Sequence, residues 1–143
     1  MNKLFIPFEL ALLAKEKGFN EPCFKCYHTE NNLAYNIKKG WLDIRPEEAQ
    51  NPRNFNDKKL FKKFVISAPL YQQIVEWFYE KYGLAIVVKS WDGDGQWKIY
   101  KHDKSKLIKQ GIAMFVYNQY NKKGLLAIKG GWTEAIEEAF KLI

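Results

Sequence analysis

Few side chains in this chain could do chemistry by type and spacing. Cys23-Phe24-Lys25-Cys26-Tyr27-His28 has the C-x-x-C spacing of a zinc knuckle, but such a pair holds a metal only when two further ligands arrive from elsewhere. His102 is the one further histidine, so two reduced, half-buried thiols are expected and no metal. A thioredoxin-like role would require the motif to open a helix after a strand, whereas Cys23–His28 itself reads as a strand. Three residues apart in a strand, the two thiols point to opposite faces, which disfavours a bridge and fits a reducing compartment.

Asp92-Gly93-Asp94-Gly95 imitates the start of a calcium loop, with Asp103 at its twelfth position, but the sixth position, where the loop needs glycine for its sharp turn, is Trp97. A hairpin turn is the better reading. The sequence has no G-x-S-x-G, no G-x-x-x-x-G-K-[ST] and no H-E-x-x-H, and only two histidines to act as a base near neutral pH. The chain therefore reads as a binder rather than an enzyme, and no cofactor is expected.

The sharpest binding candidate is Ile128-Lys129-Gly130-Gly131-Trp132-Thr133, read as a strand end, a glycine turn and a helix start. Glycines let an anion approach the backbone, and free amides at a helix N-terminus would point at it. Lys129 and Thr133 would add contacts and Trp132 a ring for stacking. The competing reading is a tight turn with Thr133 as N-cap and Glu134 repelling an anion. Trp91, Trp97 and Lys98 join the candidate set because aromatics interleaved with lysine suit stacking and cation–π contacts.

The elements that must position these residues follow from periodicity. At 143 residues, 47% hydrophobic and 16% aromatic, the chain can bury a core without disulfides. Pro7–Lys17 reads as a helix stopped by Gly18, Cys23–His28 as a strand, and Leu33–Ile37 as its hairpin partner. Residues 38–63, with Pro46, Pro52 and several asparagines, read as a long irregular loop. Phe64–Ile66 leads through Ser67, an N-cap, into a helix over Ala68–Tyr82, whose Tyr71, Ile74, Val75, Phe78 and Tyr82 make an apolar stripe. After Gly83, Leu84–Lys89 and Gln96–Tyr100 read as a strand pair. Ile112–Tyr117 and Leu125–Lys129 are further strand candidates, and Trp132–Ile143 closes the chain as a helix. The expected fold is a single α+β domain over residues 1–143. About three helices pack on an antiparallel or mixed sheet, with a degenerate helix-strand-strand repeat.

The formal charge is +7. Between Lys98 and Lys129 eight lysines face only Asp103, and Arg53, Lys58, Lys59, Lys62 and Lys63 face only Asp57. Such clusters draw phosphate-bearing partners, although a solvated surface carries them too. No apolar run approaches the length of a membrane helix and the first residues lack a cleavage site, so a cytoplasmic location is expected.

Three segments carry a resemblance: Phe5-Ile6-Pro7-Phe8-Glu9-Leu10-Ala11 running to Lys17-Gly18-Phe19-Asn20-Glu21-Pro22-Cys23; Ile66–Phe78; and Glu134–Ile143. They resemble a family of small proteins from gut bacteria and their phages or mobile elements, one without an assigned activity. The resemblance spans both ends and the middle helix and implies a cytoplasmic accessory protein. Small phage accessory proteins bind host machinery, and some sequester the nucleotide signals of host immunity in oligomers. The leading expectation is thus a non-enzymatic protein that sequesters a phosphate-bearing nucleotide through Lys129–Thr133 and forms a homo-oligomer. The alternative is an accessory protein that binds a host or phage protein, or nucleic acid, through a basic, aromatic-rich face.

Overall fold

The computed structural model describes residues 4–29, 40–42, 51–57, 59, 65–91, 94–101, 105–113 and 123–143. Within them the side chains at 40, 41, 90, 91, 94, 95, 113 and 123–130 lie outside the description. The chain is α+β, with three helices and two three-stranded antiparallel sheets among these residues. Its contacts divide it into two compact units, Met1–Tyr71 and Gln72–Ile143.

In the first unit, helix α1 (Phe8–Glu16) begins after Pro7, whose missing N–H costs nothing there. It ends in a Schellman motif: Gly18 takes φ 87°, its N–H donates to Lys15 O, and the Phe19 N–H donates to Ala14 O at 2.8 Å. Only glycine enters that left-handed conformation without strain. Phe8, Leu10, Ala11 and Ala14 are buried. The sheet has the order β2-β1-β3, built from β1 (Lys25–Thr29), β2 (Gly40–Leu42) and β3 (Val65–Ala68). Tyr27 of β1 packs edge-on to Phe8 with centroids 5.5 Å apart, and its hydroxyl donates to Ile6 O at 2.7 Å.

Residues 51–57 are irregular, as expected, and are stitched to this unit. Arg53 exchanges two backbone hydrogen bonds with Cys23, and Phe55 is buried. Asn56 bridges two elements: its Nδ2 donates to Phe19 O at 2.7 Å, and its Oδ1 accepts from Ser67 N at 2.9 Å. The expected loop also contains strand β2. The expected hairpin partner Leu33–Ile37 lies outside the described residues.

The second unit runs α2 (Tyr71–Tyr82), β4 (Leu84–Trp91), β5 (Asp94–Lys101), β6 (Lys106–Ala113) and α3 (Lys123–Phe140), with sheet order β4-β5-β6. Gly83, at φ 65°, ends α2 as Gly18 ends α1. A helix, a left-handed glycine and three antiparallel strands therefore occur in both units, although the strand orders differ. The α2 stripe buries Ile74, Trp77 and Phe78. Phe78 meets Phe140 of α3 edge to face at 4.8 Å.

Alternation decides which sheet face is covered. Leu84, Ile86, Trp97 and Ile99 share one face by parity and register, and all are buried. They pack with Ala135, Ile136, Ala139 and Phe140 of α3. Lys109, in register with Ile99, lies on that side and pairs with Glu138 of α3. Trp97 is in register with Gly111 across β6, and a Cβ placed on Gly111 would stand 2.4 Å from the indole ring.

Several boundaries differ from expectation. Ser67 does not cap α2: it is buried in β3, in register with Cys26, and the helix begins only at Tyr71. Strand pairing carries the chain past Ser67, and Pro69 O then accepts from Ile6 N. Asp94 and Gly95 belong to β5, in register with Trp91 and Ser90, rather than to the turn, and Asp92 and Gly93 lie outside the described residues. Strand β6 starts at Lys106, before the expected Ile112, and residues 114–117 lie outside the described set. Leu125–Lys129 is helix, not strand: α3 starts at Lys123 instead of Trp132.

Two substitutions follow. Asn56→Ala removes the hydrogen bonds to the Phe19 carbonyl and the Ser67 amide and should lower stability by about 2 kcal/mol in denaturant unfolding, since losing a partner of a part-buried group costs about 1–3 kcal/mol before water recovers part of it. Gly111→Ala should cost about 1–3 kcal/mol, because the rigid Trp97 ring must leave its place to admit the methyl group.

Candidate functional site

Residues Lys129, Gly130, Gly131, Trp132 and Thr133 do not form an anion pocket of the expected kind. All five lie inside α3, with Lys123 at its start, so their amides are spent on intrahelical bonds and no helix N-terminus opens there. Gly131 is buried, and Trp132 and Thr133 are half-buried. The physical reason is an apolar stripe that runs through the glycines: Leu125, Ile128, Trp132, Ala135, Ile136 and Ala139. Two interior glycines cost the helix about 1 kcal/mol each, less than the burial of Ala135, Ile136, Ala139 and Phe140 of α3 contributes.

The other predicted residues separate. Trp97 is 3% exposed, packed under the sheet, and offers no stacking surface. Its indole N–H has no hydrogen-bond partner among the described residues. Trp91 is in register with Asp94 at the hairpin end of β4. Lys98 is exposed on the face away from α3.

That uncovered face of the second sheet is the feature with binding chemistry. Register builds it in three rows across β4, β5 and β6: Lys89, Gln96 and Ile112; Val87, Lys98 and Gln110; Ala85, Tyr100 and Leu107. A register shift after Ile99 brings Leu107 opposite Tyr100. Lys89, Gln96, Lys98, Gln110, Leu107 and Ile112 are exposed, and Tyr100 is half-buried. These rows hold two lysines, two amides, one phenol and aliphatic carbon, and the next row in register on the same face, Trp91 and Asp94, adds one acidic position at the hairpin end. At the far end of the β5–β6 hairpin, Lys101 stands directly opposite Lys106. Like charges in that position oppose each other, and a polyanion relieves the repulsion. The three strands together carry five lysines and a single acid, Asp94.

Sequence reasoning reached Lys98 but missed its neighbours. The alternation Gln96-Trp97-Lys98-Ile99-Tyr100 already separates Trp97 and Ile99 from Gln96, Lys98 and Tyr100. The cross-strand partners Lys89, Gln110 and Ile112 follow only from register, which the sequence leaves open.

Cys23 and Cys26 are both free and buried. Cys23 precedes β1, in an isolated bridge with Arg53, and its Sγ lies 3.6 Å from Glu21 O. Cys26 Sγ is 3.9 Å from His28 Nε2. The described residues contain no group of three or more side chains fit to hold a metal; His102 lies outside them. Burial pushes the Cys23 thiol up to about 12 and the Tyr27 phenol up to about 12. Among the described residues no helix is long and apolar enough to cross a membrane.

No protein-family model, no curated protein and no solved structure matches this chain.

The raised thiol makes a pH prediction. Folding holds the Cys23 proton more tightly than the unfolded chain does. The resulting stability is fully present below the ordinary thiol value of 9.0 and is lost as pH rises toward about 12. The stability difference between the natural chain and Cys23→Ala should therefore stay constant from neutral pH to about 9 and narrow above it, as followed by thermal unfolding across pH. A difference that stays constant through the alkaline range would contradict a protonated, buried thiol.

Proposed function

We propose that this protein is a non-enzymatic accessory protein that binds duplex nucleic acid on the uncovered face of the β4–β5–β6 sheet. One observation carries the reading: three registered rows that combine exposed Lys89 and Lys98 with Gln96, Gln110, Tyr100 and aliphatic side chains, with the one acidic position of the sheet, Asp94, in the row beyond them at the hairpin end. Lysines supply the phosphate contacts that dominate affinity. Glutamines offer the paired donor and acceptor that match adenine, lysine reaches guanine acceptors, and Ile112 provides carbon for a thymine methyl. A two-stranded antiparallel ribbon such as β5–β6 is narrow enough to enter a major groove about 12 Å wide, with β4 at its rim.

A nucleotide-sequestering role loses the site first assigned to it, because Lys129–Thr133 is helix interior. A broad face whose exposed side chains Lys89, Gln96, Lys98 and Gln110 spread over three strands also suits an extended polyanion better than one small ligand.

Fluorescence anisotropy with a labelled DNA duplex of about 20 base pairs tests this directly. Binding should weaken as salt rises, with log K against log[salt] falling by about 0.9 for each phosphate contacted. Lys89→Ala with Lys98→Ala should flatten that slope by about 0.9 for each lysine that touches phosphate, while Gln96→Ala and Gln110→Ala should chiefly relax sequence preference. Affinity and salt slope unchanged in the double lysine variant would exclude this face.

A further inference from the structure

Strand β4 is an edge of its sheet. Among the described residues it pairs only with β5 along all eight positions, so every second residue directs its N–H and C=O outward. Alongside this edge lies a groove of about 530 Å³, walled by Val75, Glu76, Tyr79 and Glu80 of α2 and floored by Ala85–Val87 of β4. Val75 and Tyr79 form one stripe on α2 and Glu76 and Glu80 a second, each spaced i, i+4 and therefore about 6 Å apart along the axis. Residues two apart on an extended strand advance about 6.8 Å. A strand laid along β4 therefore presents its helix-facing side chains nearly in step with both stripes.

The charges select the occupant. In a chain of net charge +7, this groove is bounded by two exposed carboxylates, Glu76 and Glu80, and Tyr79 beside them is 46% exposed. Nucleic acid is repelled there. A second copy of this chain, paired edge to edge through β4, would bring the acidic stripes of two α2 helices toward each other. Lysine or arginine fits both stripes at once: its alkyl stem covers Val75 and Tyr79 while its charged head reaches the carboxylates.

We propose that the groove between α2 and β4 takes an extended basic segment of a partner protein, added as a fourth strand to the sheet, with lysine or arginine at alternate positions toward α2. This mode draws affinity from main-chain pairing and specificity from the alternating side chains. It is independent of the nucleic-acid reading, because it uses the strand edge and shares with the open face only Ala85 and Val87, to which that reading gives no contact.

The probe is a capped octapeptide of alternating lysine and valine, titrated into the full chain, with a glutamate-valine octapeptide as control and hydrogen exchange as the readout. The lysine peptide should bind saturably and protect alternate amides of β4. Glu76→Gln with Glu80→Gln, both at exposed positions that leave the core intact, should weaken it by about three- to tenfold. Equal binding of the glutamate peptide, binding without β4 protection, or affinity unchanged in the double variant would overturn the proposal. Concentration-dependent protection of β4 in the free chain would overturn it in favour of a second copy. None of these outcomes bears on Lys89 or Lys98, so the two readings fail separately.

Discussion

One helix covers one face of the second sheet, and much of this unit's behaviour follows from that. Trp97 lies across Gly111 and beside Ile99 on the α3 side, at a spacing that leaves no room for a Cβ on Gly111. The contact closes α3 over β5 and pins the parity of all three strands, because a slip of one residue would turn every side chain to the opposite face. With Leu84, Ile86, Trp97 and Ile99 inward, Lys89, Gln96, Lys98 and Gln110 must point outward. The proposed binding face is thus the complement of the core rather than a separate construction. The Trp97 N–H is buried without a partner among the described residues.

The first unit is held by a different device. Its helix ends at Gly18 in a motif that leaves the Phe19 carbonyl pointing away from the helix, and Asn56 joins that carbonyl to the Ser67 amide. An amide side chain is the group that can accept at one atom and donate at the other. The bridge ties the end of α1 to the strand that leads toward α2, and the Arg53–Cys23 pairing secures the same segment from its other side. The C-x-x-C motif is absorbed into this packing as two buried thiols.

Local signals were legible in the sequence. The stripe Ile74, Val75, Phe78 and Tyr82 specified α2, Gly18 and Gly83 marked their helix ends, and Asp92–Gly95 marked the β4–β5 hairpin within two residues. Misreading of α3 came from weighting Gly130 and Gly131 as a turn above the apolar period that passes through them. Ser67 looked like an N-cap because its pairing with Cys26, forty-one positions away in sequence, leaves no local trace. For the same reason Asn56 read as loop, and the open face was only partly visible: alternation placed Lys98 but not its registered neighbours Lys89 and Gln110.

The central claim is that the covered and uncovered faces of the β4–β5–β6 sheet divide packing from binding. Nuclear magnetic resonance of the isotope-labelled full chain, titrated with a short DNA duplex, reads both faces in one experiment. The account predicts shifts at the Gln96 and Gln110 side-chain amides and at the backbone of Lys89, Lys98 and Tyr100, with Ala135, Ile136 and Ala139 unmoved. Shifts concentrated in α3, or a spectrum that the duplex leaves unchanged, would contradict it.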